Sequence, residues 1–201
     1  VASYGEPSPS SYGIDASSMP PDNLRLPSFD RRREHILSSL RQYWGDEDQC
    51  IQSLPIRPAV EPYHLMLPLK LVEIELPSWG REHGVRGQLL IPRECLPKEE
   101  IDDSALWSSV DWFLAAFLLL EAWHERLWEV EHGVVHSFSL RLRGWDDRVW
   151  AHLWVNRIAL FLRSWAVFRL KKAEDEVFPA LPAAKKFLTH DVDALQLSWA
   201  I

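Results

Sequence analysis

The chain has 201 residues and carries 22 Lys and Arg against 29 Asp and Glu, which gives a formal net charge of −7. This acidic balance argues against a general nucleic-acid-binding protein, because neutralising phosphates requires clustered basic residues. Apolar residues make up 47% of the chain and charged residues 25%, which is ordinary for a globular protein. Tryptophan is the unusual residue: there are eleven, and eight of them lie from Trp107 to Trp165.

Cysteine usage and the longest apolar run limit the classes further. Cys50 and Cys95 occur without a C-x-x-C motif, which excludes a zinc knuckle; we expect two free thiols, and one bridge between them stays open. The longest apolar run, Trp112 to Leu120, has nine residues, whereas a membrane-spanning helix needs about 20. We therefore expect no transmembrane segment. No secretory signal is visible, so we expect a cytoplasmic protein. The chain starts at Val1 and not at Met, so we expect the natural N-terminus to lie upstream.

The first half of the chain predicts one helix and two strands. Residues 1–27, rich in Ser, Pro, Gly and Tyr, are expected to form a disordered extension before an accessory domain at 28–182. Ser28 predicts the N-cap of a helix from Phe29 to Trp44 that Gly45 ends. Residues 50–68 contain four prolines and are expected to be irregular. Alternating apolar residues predict strands over residues 70–76 and 85–91.

The second half predicts two long helices and two further strands. Apolar periodicity favours a helix over residues 105–130 that Gly133 ends, and a strand over residues 134–142. A second long helix is predicted over residues 146–175, broken by the Phe-Pro-Ala-Leu-Pro sequence at 178–182. A short strand is predicted over residues 185–189. Helices and strands without regular alternation indicate an α+β fold, with α/β as the alternative.

Two carboxylates follow that last strand, in the sequence Leu-Thr-His-Asp-Val-Asp at 188–193. Residues i and i+2 of an extended chain point to the same side, so Asp191 and Asp193 would lie together at the carboxyl end of the strand. Barrel and open α/β folds place their active sites at such ends. One carboxylate could ligate a divalent metal while the other accepts a proton from water. On spacing alone, an acidic turn is the commoner interpretation.

The sequence at 188–193 resembles the first motif of the polysaccharide deacetylase (NodB-homology) family. Residues 111–133 resemble a helix of the N-terminal domain that precedes such barrels, and the Phe-Pro-x-Leu at 178–181 resembles the entry to the first barrel strand. The resemblance covers about residues 105–195. It implies that a truncated, distorted (β/α) barrel begins at residues 183–201.

The resemblance also implies a chemistry. Asp191 would be the general base and Asp193 a ligand of zinc or another divalent metal, completed in the family by two histidines of an H-x-x-x-H motif. The substrate would be an N-acetylated carbohydrate whose acetamide is hydrolysed by an activated water. In the family this H-x-x-x-H motif follows the aspartates, but the eight residues after Asp193 include no histidine. Because a catalytic zinc site needs about three protein ligands, we expect this chain alone to be inactive and to bind no metal tightly.

Other sequence features leave alternatives open. A non-catalytic binding or structural module for surface-polysaccharide metabolism is the main one. His132 and His136 have H-x-x-x-H spacing, but Gly133 predicts a helix end between them, so a metal role is disfavoured. The tryptophans could form a platform for sugars; Trp150, Trp154 and Trp165 lie on an apolar helical stripe, which predicts core packing instead. Trp79 lies in a loop-like stretch and is the candidate for exposure.

Overall fold

The computed structural model describes residues 26–59, 65, 69–98, 103–133 and 146–183. These residues form helices and one small sheet, which confirms the α+β class. The helices are α1 (Phe29–Ser39), α2 (Asp48–Gln52), α3 (Trp112–Leu120), α4 (Trp123–His132), α5 (Arg148–Ala151), α6 (Trp154–Leu170) and α7 (Glu174–Val177). The strands are β1 (Leu71–Glu75) and β2 (Gln88–Pro92).

The first helix begins where the sequence predicts and ends earlier. Ser28 caps α1, its side-chain oxygen accepting a hydrogen bond from the backbone N–H of Arg31. After Ser39 the backbone tightens into a 3₁₀ turn, Arg41–Tyr43, so the predicted continuous helix to Trp44 is wrong. The tighter turn places Trp44 in the core, fully buried, with its indole N–H donating to the Leu37 carbonyl at 3.1 Å.

The two strands predicted in the first half of the chain are confirmed, and they pair antiparallel with Ile74 opposite Leu89. β1 buries Ile74 and exposes its two glutamates, as the alternating pattern indicates. The second strand begins at Gln88 because Arg86 and Gly87 both have positive φ, 54° and 84°, and form a tight turn before it. The predicted irregular stretch after residue 50 is wrong at its start, where α2 continues to Gln52.

Neither predicted long helix is continuous. The first is divided into a 3₁₀ segment, Asp103–Ser109, then α3 and α4, with Ala122 between them in the left-handed region at φ 47°. The second is divided into α5, α6 and α7, because His152 is extended at ψ 160° and Lys171 is left-handed at φ 52°. Two predicted ends hold: α4 ends at Gly133, and helix formation stops at Phe178. Each predicted continuous helix is therefore divided into shorter ones. We call the junction between α3 and α4 the α3–α4 corner and the junction between α5 and α6 the α5–α6 corner.

The core is built around α3, whose residues from Trp112 to Leu118 are all buried. α3 packs against both α1 and α6. Three charged residues are buried in the described part of the chain: Arg32, Asp111 and Arg163. Asp111 caps α3 by accepting a hydrogen bond from the Leu114 N–H at 2.9 Å.

Several sequence predictions fall outside the described residues. They are the strands at 134–142 and 185–189, nearly all of the 1–27 extension, and the predicted start of the barrel after residue 183. Cys50 and Cys95 are both free thiols, as expected. No helix among the described residues is long and apolar enough to cross a membrane.

Candidate functional site

The two predicted catalytic residues, Asp191 and Asp193, lie outside the described residues, as does His136. Within the ranges that the structure describes, no group of three or more His, Cys, Asp or Glu side chains is placed to hold a metal ion.

A groove of about 310 Å³ lies where the sheet, the α3–α4 corner and the α5–α6 corner meet. This volume is at the small end of the range of ligand-binding cavities, roughly 300–1,000 Å³. Its described lining contains both apolar and polar side chains. The apolar lining includes Leu69, Leu71, Pro92, Leu118 and Leu119, and the polar lining includes His124, Glu125, His152 and Asn156.

The short helix α5 presents Trp150 to this groove. Arg148 fixes α5 by donating to both carboxylate oxygens of Asp146 and, at 2.5 Å, to Glu73 on β1. The Asp146 carboxylate also accepts the Arg148 backbone N–H at 3.1 Å, and the Arg148 guanidinium lowers the pKa of Asp146. α5 is thus joined to the sheet by an ion pair as well as by the chain.

The α5–α6 corner forms another wall of the groove. The Trp154 indole N–H donates to the Arg148 carbonyl at 2.7 Å, which ties the first residue of α6 back to α5. The exposed His152 ring contacts Trp154 edge-on at 5.1 Å. Leu153, between them, is 72% exposed.

The described lining of the groove contains few ionisable groups. Burial lowers the pKa of His124 to about 4, so its imidazole is uncharged at neutral pH. Among the described lining residues, Glu125 is the carboxyl group and neither Lys nor Arg is present. Burial also raises the pKa of Tyr43, and a hydrogen bond with Asn156 partly offsets this. Such a lining can offer hydrogen bonds from neutral groups but no cation for an anionic ligand.

The division of the tryptophans into buried and exposed side chains differs from the sequence prediction. Trp154 and Trp165 are buried, as predicted, but Trp150 is 40% exposed, so its predicted core position is wrong. It is wrong because the helix breaks at His152 and the stripe does not continue into α5. Trp79 is half-buried: Phe161 and Phe168 stack on it at 5.5 and 4.8 Å with near-parallel rings. With both faces covered, Trp79 offers no flat surface to a ligand.

A second cluster holds the segment that leads toward the predicted motif. The buried Arg163 on α6 donates to Glu174 at 2.5 Å, to the Pro179 carbonyl at 2.7 Å and to the Tyr43 carbonyl. Its guanidinium also lies over the Phe178 ring, 4.8 Å from the centroid. The residues after α7 are therefore fixed against α6 as far as Pro179.

Comparisons of the chain with protein-family models, with curated proteins and with solved structures find no match. The groove has no motif in the sequence, because its described lining comes from six separate helices and strands and their connections. The one local signal is the Asp-Asp pair before Arg148, which marks the start of α5 at the beginning of the predicted helix.

Proposed function

We propose that this chain is the N-terminal part of a metal-dependent deacetylase acting on an N-acetylated polysaccharide or other carbohydrate. The observation that carries the proposal is the sequence Leu-Thr-His-Asp-Val-Asp at 188–193, which follows an apolar predicted strand. Asp191 would accept a proton from the attacking water. Asp193 would hold a divalent metal, zinc by preference, together with histidines outside this chain.

Two further features support the proposal. The resemblance to the domain that precedes such barrels extends over residues 111–133. The Phe-Pro-x-Leu sequence at 178–181 begins at a residue that Arg163 contacts directly. A fixed Phe178–Pro179 segment would set the starting position of the strand that leads to Asp191. The protein would act in the cytoplasm, with a carbohydrate rather than a nucleic acid as its partner.

The coding sequence beyond Ile201 tests this proposal first. We expect an H-x-x-x-H motif within about a hundred residues, since three protein ligands are needed to hold a catalytic zinc. The protein with that motif should release acetate from an N-acetylated oligosaccharide, and a chelator should abolish the release. A stop codon directly after Ile201 would contradict the deacetylase proposal.

A second candidate function is a non-catalytic binding module of polysaccharide metabolism. The observation that favours it is the groove, whose described lining residues all precede the predicted start of the barrel. A protein that binds oligosaccharide but releases no acetate, whatever divalent metal is added, would support this second candidate over the first.

A further inference from the structure

We infer that the connection between β1 and β2, residues 76–87, is an acid-sensitive latch on α6. The connection is docked on this helix while His83 is uncharged, and it is released when His83 gains a proton. Release would uncover the aromatic side chains that the two elements share. The inference is independent of the proposed function, because it involves neither the groove nor the two predicted catalytic aspartates.

Aromatic packing holds one end of the connection against α6. The Trp79 ring lies against Phe161 and Phe168, with centroids 5.5 and 4.8 Å away and near-parallel planes. The backbone is equally close, since a Cβ placed on Gly80 would lie 2.9 Å from the Phe161 ring. Phe161 is fully buried, whereas Phe168 is 55% exposed. Release would therefore remove a cover from Phe161 and expose more of the Phe168 ring.

Polar contacts hold the other end, at the 3₁₀ turn Arg81–His83. The His83 imidazole is 14% exposed, and its Nε2 lies 2.7 Å from the hydroxyl oxygen of Ser164 on α6. The Arg157 guanidinium, two turns earlier on α6, donates to the backbone carbonyls of His83 at 3.0 Å and Gly84 at 3.3 Å. The turn is thus bound to α6 through one titratable side chain and through its own carbonyl groups.

The charged groups around the His83 ring divide into one that moves with it and two that stay behind. Glu82, on the same turn, has a carboxylate oxygen 3.5 Å from Nε2. Arg157 on α6 and Glu174 on α7 lie on the other side of the contact, and the neighbouring strand β2 carries no ionisable side chain. Burial is the largest influence and lowers the pKa of His83; Arg157 also lowers it, and the two glutamates raise it by less.

Release reverses the largest of these influences. It returns the imidazole to water and separates it from Arg157, while Glu82 stays beside it. The released form therefore binds a proton more tightly than the docked form, so protonation of His83 favours release. The docked form is favoured above about pH 6.5, the ordinary pKa of histidine, and loses this advantage as the pH falls below that value.

The 3₁₀ turn gives the release a local readout. Within it, the His83 N–H donates to the Gly80 carbonyl at 3.1 Å, and the Gly84 N–H donates to the Arg81 carbonyl at 3.1 Å. A single 3₁₀ turn has poor hydrogen-bond geometry and is not stable alone in water. These two amides are therefore protected from exchange only while the connection is docked, and their exchange reports local opening.

Amide hydrogen exchange of the 201-residue chain at pH 7.5 and pH 5.5, corrected for the intrinsic rate at each pH, tests the inference. We expect the protection of the His83 and Gly84 amides to fall by about threefold or more at the lower pH. The buried Leu118 amide in α3 is the internal control and should keep its protection.

Two variants assign the effect to His83. His83→Gln keeps a polar side chain that cannot be protonated, so the protection of the Gly84 amide should become the same at both pH values. Ser164→Ala removes the partner on α6 and should lower that protection by about threefold or more already at pH 7.5. His124→Gln is the matched control, because it replaces a histidine on α4 and should leave the pH dependence at Gly84 in place.

Three results would overturn the inference. The first is equal protection of the His83 and Gly84 amides at both pH values in the wild-type chain. The second is an undiminished pH dependence at Gly84 in the His83→Gln variant. The third is an equal loss of protection at Leu118, which would show that acid unfolds the whole chain rather than releasing the connection.

Discussion

The guanidinium of Arg163 on α6 donates a hydrogen bond to the backbone carbonyl oxygen of Pro179, 2.7 Å away, and so joins the core helix to the segment that leads to the predicted catalytic strand. The same guanidinium donates a hydrogen bond to the backbone carbonyl of Tyr43, in the 3₁₀ turn that follows α1. One side chain therefore links three separate parts of the chain. A buried arginine in this position is costly to remove, because its partners lose their hydrogen bonds inside the core.

Replacing this arginine should loosen the segment after α7. Arg163→Met keeps an apolar stem but removes every donor, so we expect the free energy of unfolding to fall by about 2–4 kcal/mol. Amide hydrogen exchange at Phe178 should quicken by more than the global loss of stability explains. Arg169→Met on the same helix is the control, since Arg169 is exposed and its loss should cost less than about 0.5 kcal/mol. Equal effects of the two substitutions would contradict this role.

Gly45 packs against Pro179 in the same segment. Its φ is +63°, and a Cβ placed there would lie 2.8 Å from Cγ of Pro179. We expect Gly45→Ala to combine backbone strain with a clash and to destabilise the fold by about 2 kcal/mol or more. Gly133→Ala is the matched control, because Gly133 also has a positive φ, +86°, but nothing within 4 Å of the new Cβ.

The difference between the two alanine variants in chemical denaturation measures the contact with Pro179 alone. We expect Gly45→Ala to be the less stable by about 1 kcal/mol or more. If Gly133→Ala were as destabilising as Gly45→Ala, the packing of Gly45 against Pro179 would not contribute.

The buried Asp111 supports the α3 cap and the α1–α3 contact together. Its carboxylate accepts the Leu114 N–H at 2.9 Å and the Ala59 N–H at 3.0 Å, and it lies 3.7 Å from the Arg32 guanidinium. Asp111→Ala removes the cap and leaves the Arg32 charge buried without its carboxylate, so unfolding should become easier by about 3–5 kcal/mol.

Asp111→Asn keeps one oxygen for the cap and should cost less than Asp111→Ala. Asp30→Ala on α1 is the surface control: Asp30 is 80% exposed, and its pair with Arg33 should contribute less than about 1 kcal/mol. Urea denaturation of the three variants measures the order. An Asp111→Ala loss no larger than that of Asp30→Ala would contradict the buried role.

Acid should destabilise the fold through its histidines. Burial lowers the pKa of His124 to about 4 and also lowers that of His83, so the folded chain resists protonation where the unfolded chain accepts it. Stability from these groups is present above about pH 6.5 and is lost as pH falls toward about 4. Asp111 and Glu94 act the other way, because burial raises the pKa of each, and their protonated forms favour the folded state at the acid end.

His124→Gln isolates the contribution of His124 from these opposing groups. Relative to wild type, it should regain on the order of 1–2 kcal/mol between about pH 7 and pH 4.5 in thermal or urea unfolding. Parallel pH curves for wild type and His124→Gln would contradict the neutral, buried state of this imidazole.

Local sequence signals predict the fold where one residue decides the backbone. Ser28 begins α1, Gly133 ends α4, and the alternation around Ile74 defines β1, each through a capping group or a two-residue period. The predictions of two long continuous helices are wrong for one shared reason. Ala122 and His152 interrupt them without Gly or Pro, because tertiary packing sets their backbone and not local propensity.

The groove could not be predicted from the sequence because no short motif encodes it. Leu71, Leu118 and Trp150 meet only after the sheet and both helix corners are folded. The apolar period of residues 146–175 places Trp150 in the core only if the helix is continuous, and the break at His152 removes that condition. The predicted catalytic pair differs from the groove, because Asp191 and Asp193 both lie within one six-residue sequence motif that can be recognised without a structure. Their catalytic roles remain a prediction.

The separate roles of the two aspartates give the most direct test of the deacetylase proposal. The measurement is acetate release from an N-acetylated oligosaccharide, with bound zinc determined on the same samples, for the protein that includes the downstream motif and for its Asp191→Asn and Asp193→Asn variants. We predict that Asp193→Asn loses both zinc and activity, whereas Asp191→Asn keeps zinc and loses activity by about a hundredfold or more. Wild-type activity in both variants would contradict the account.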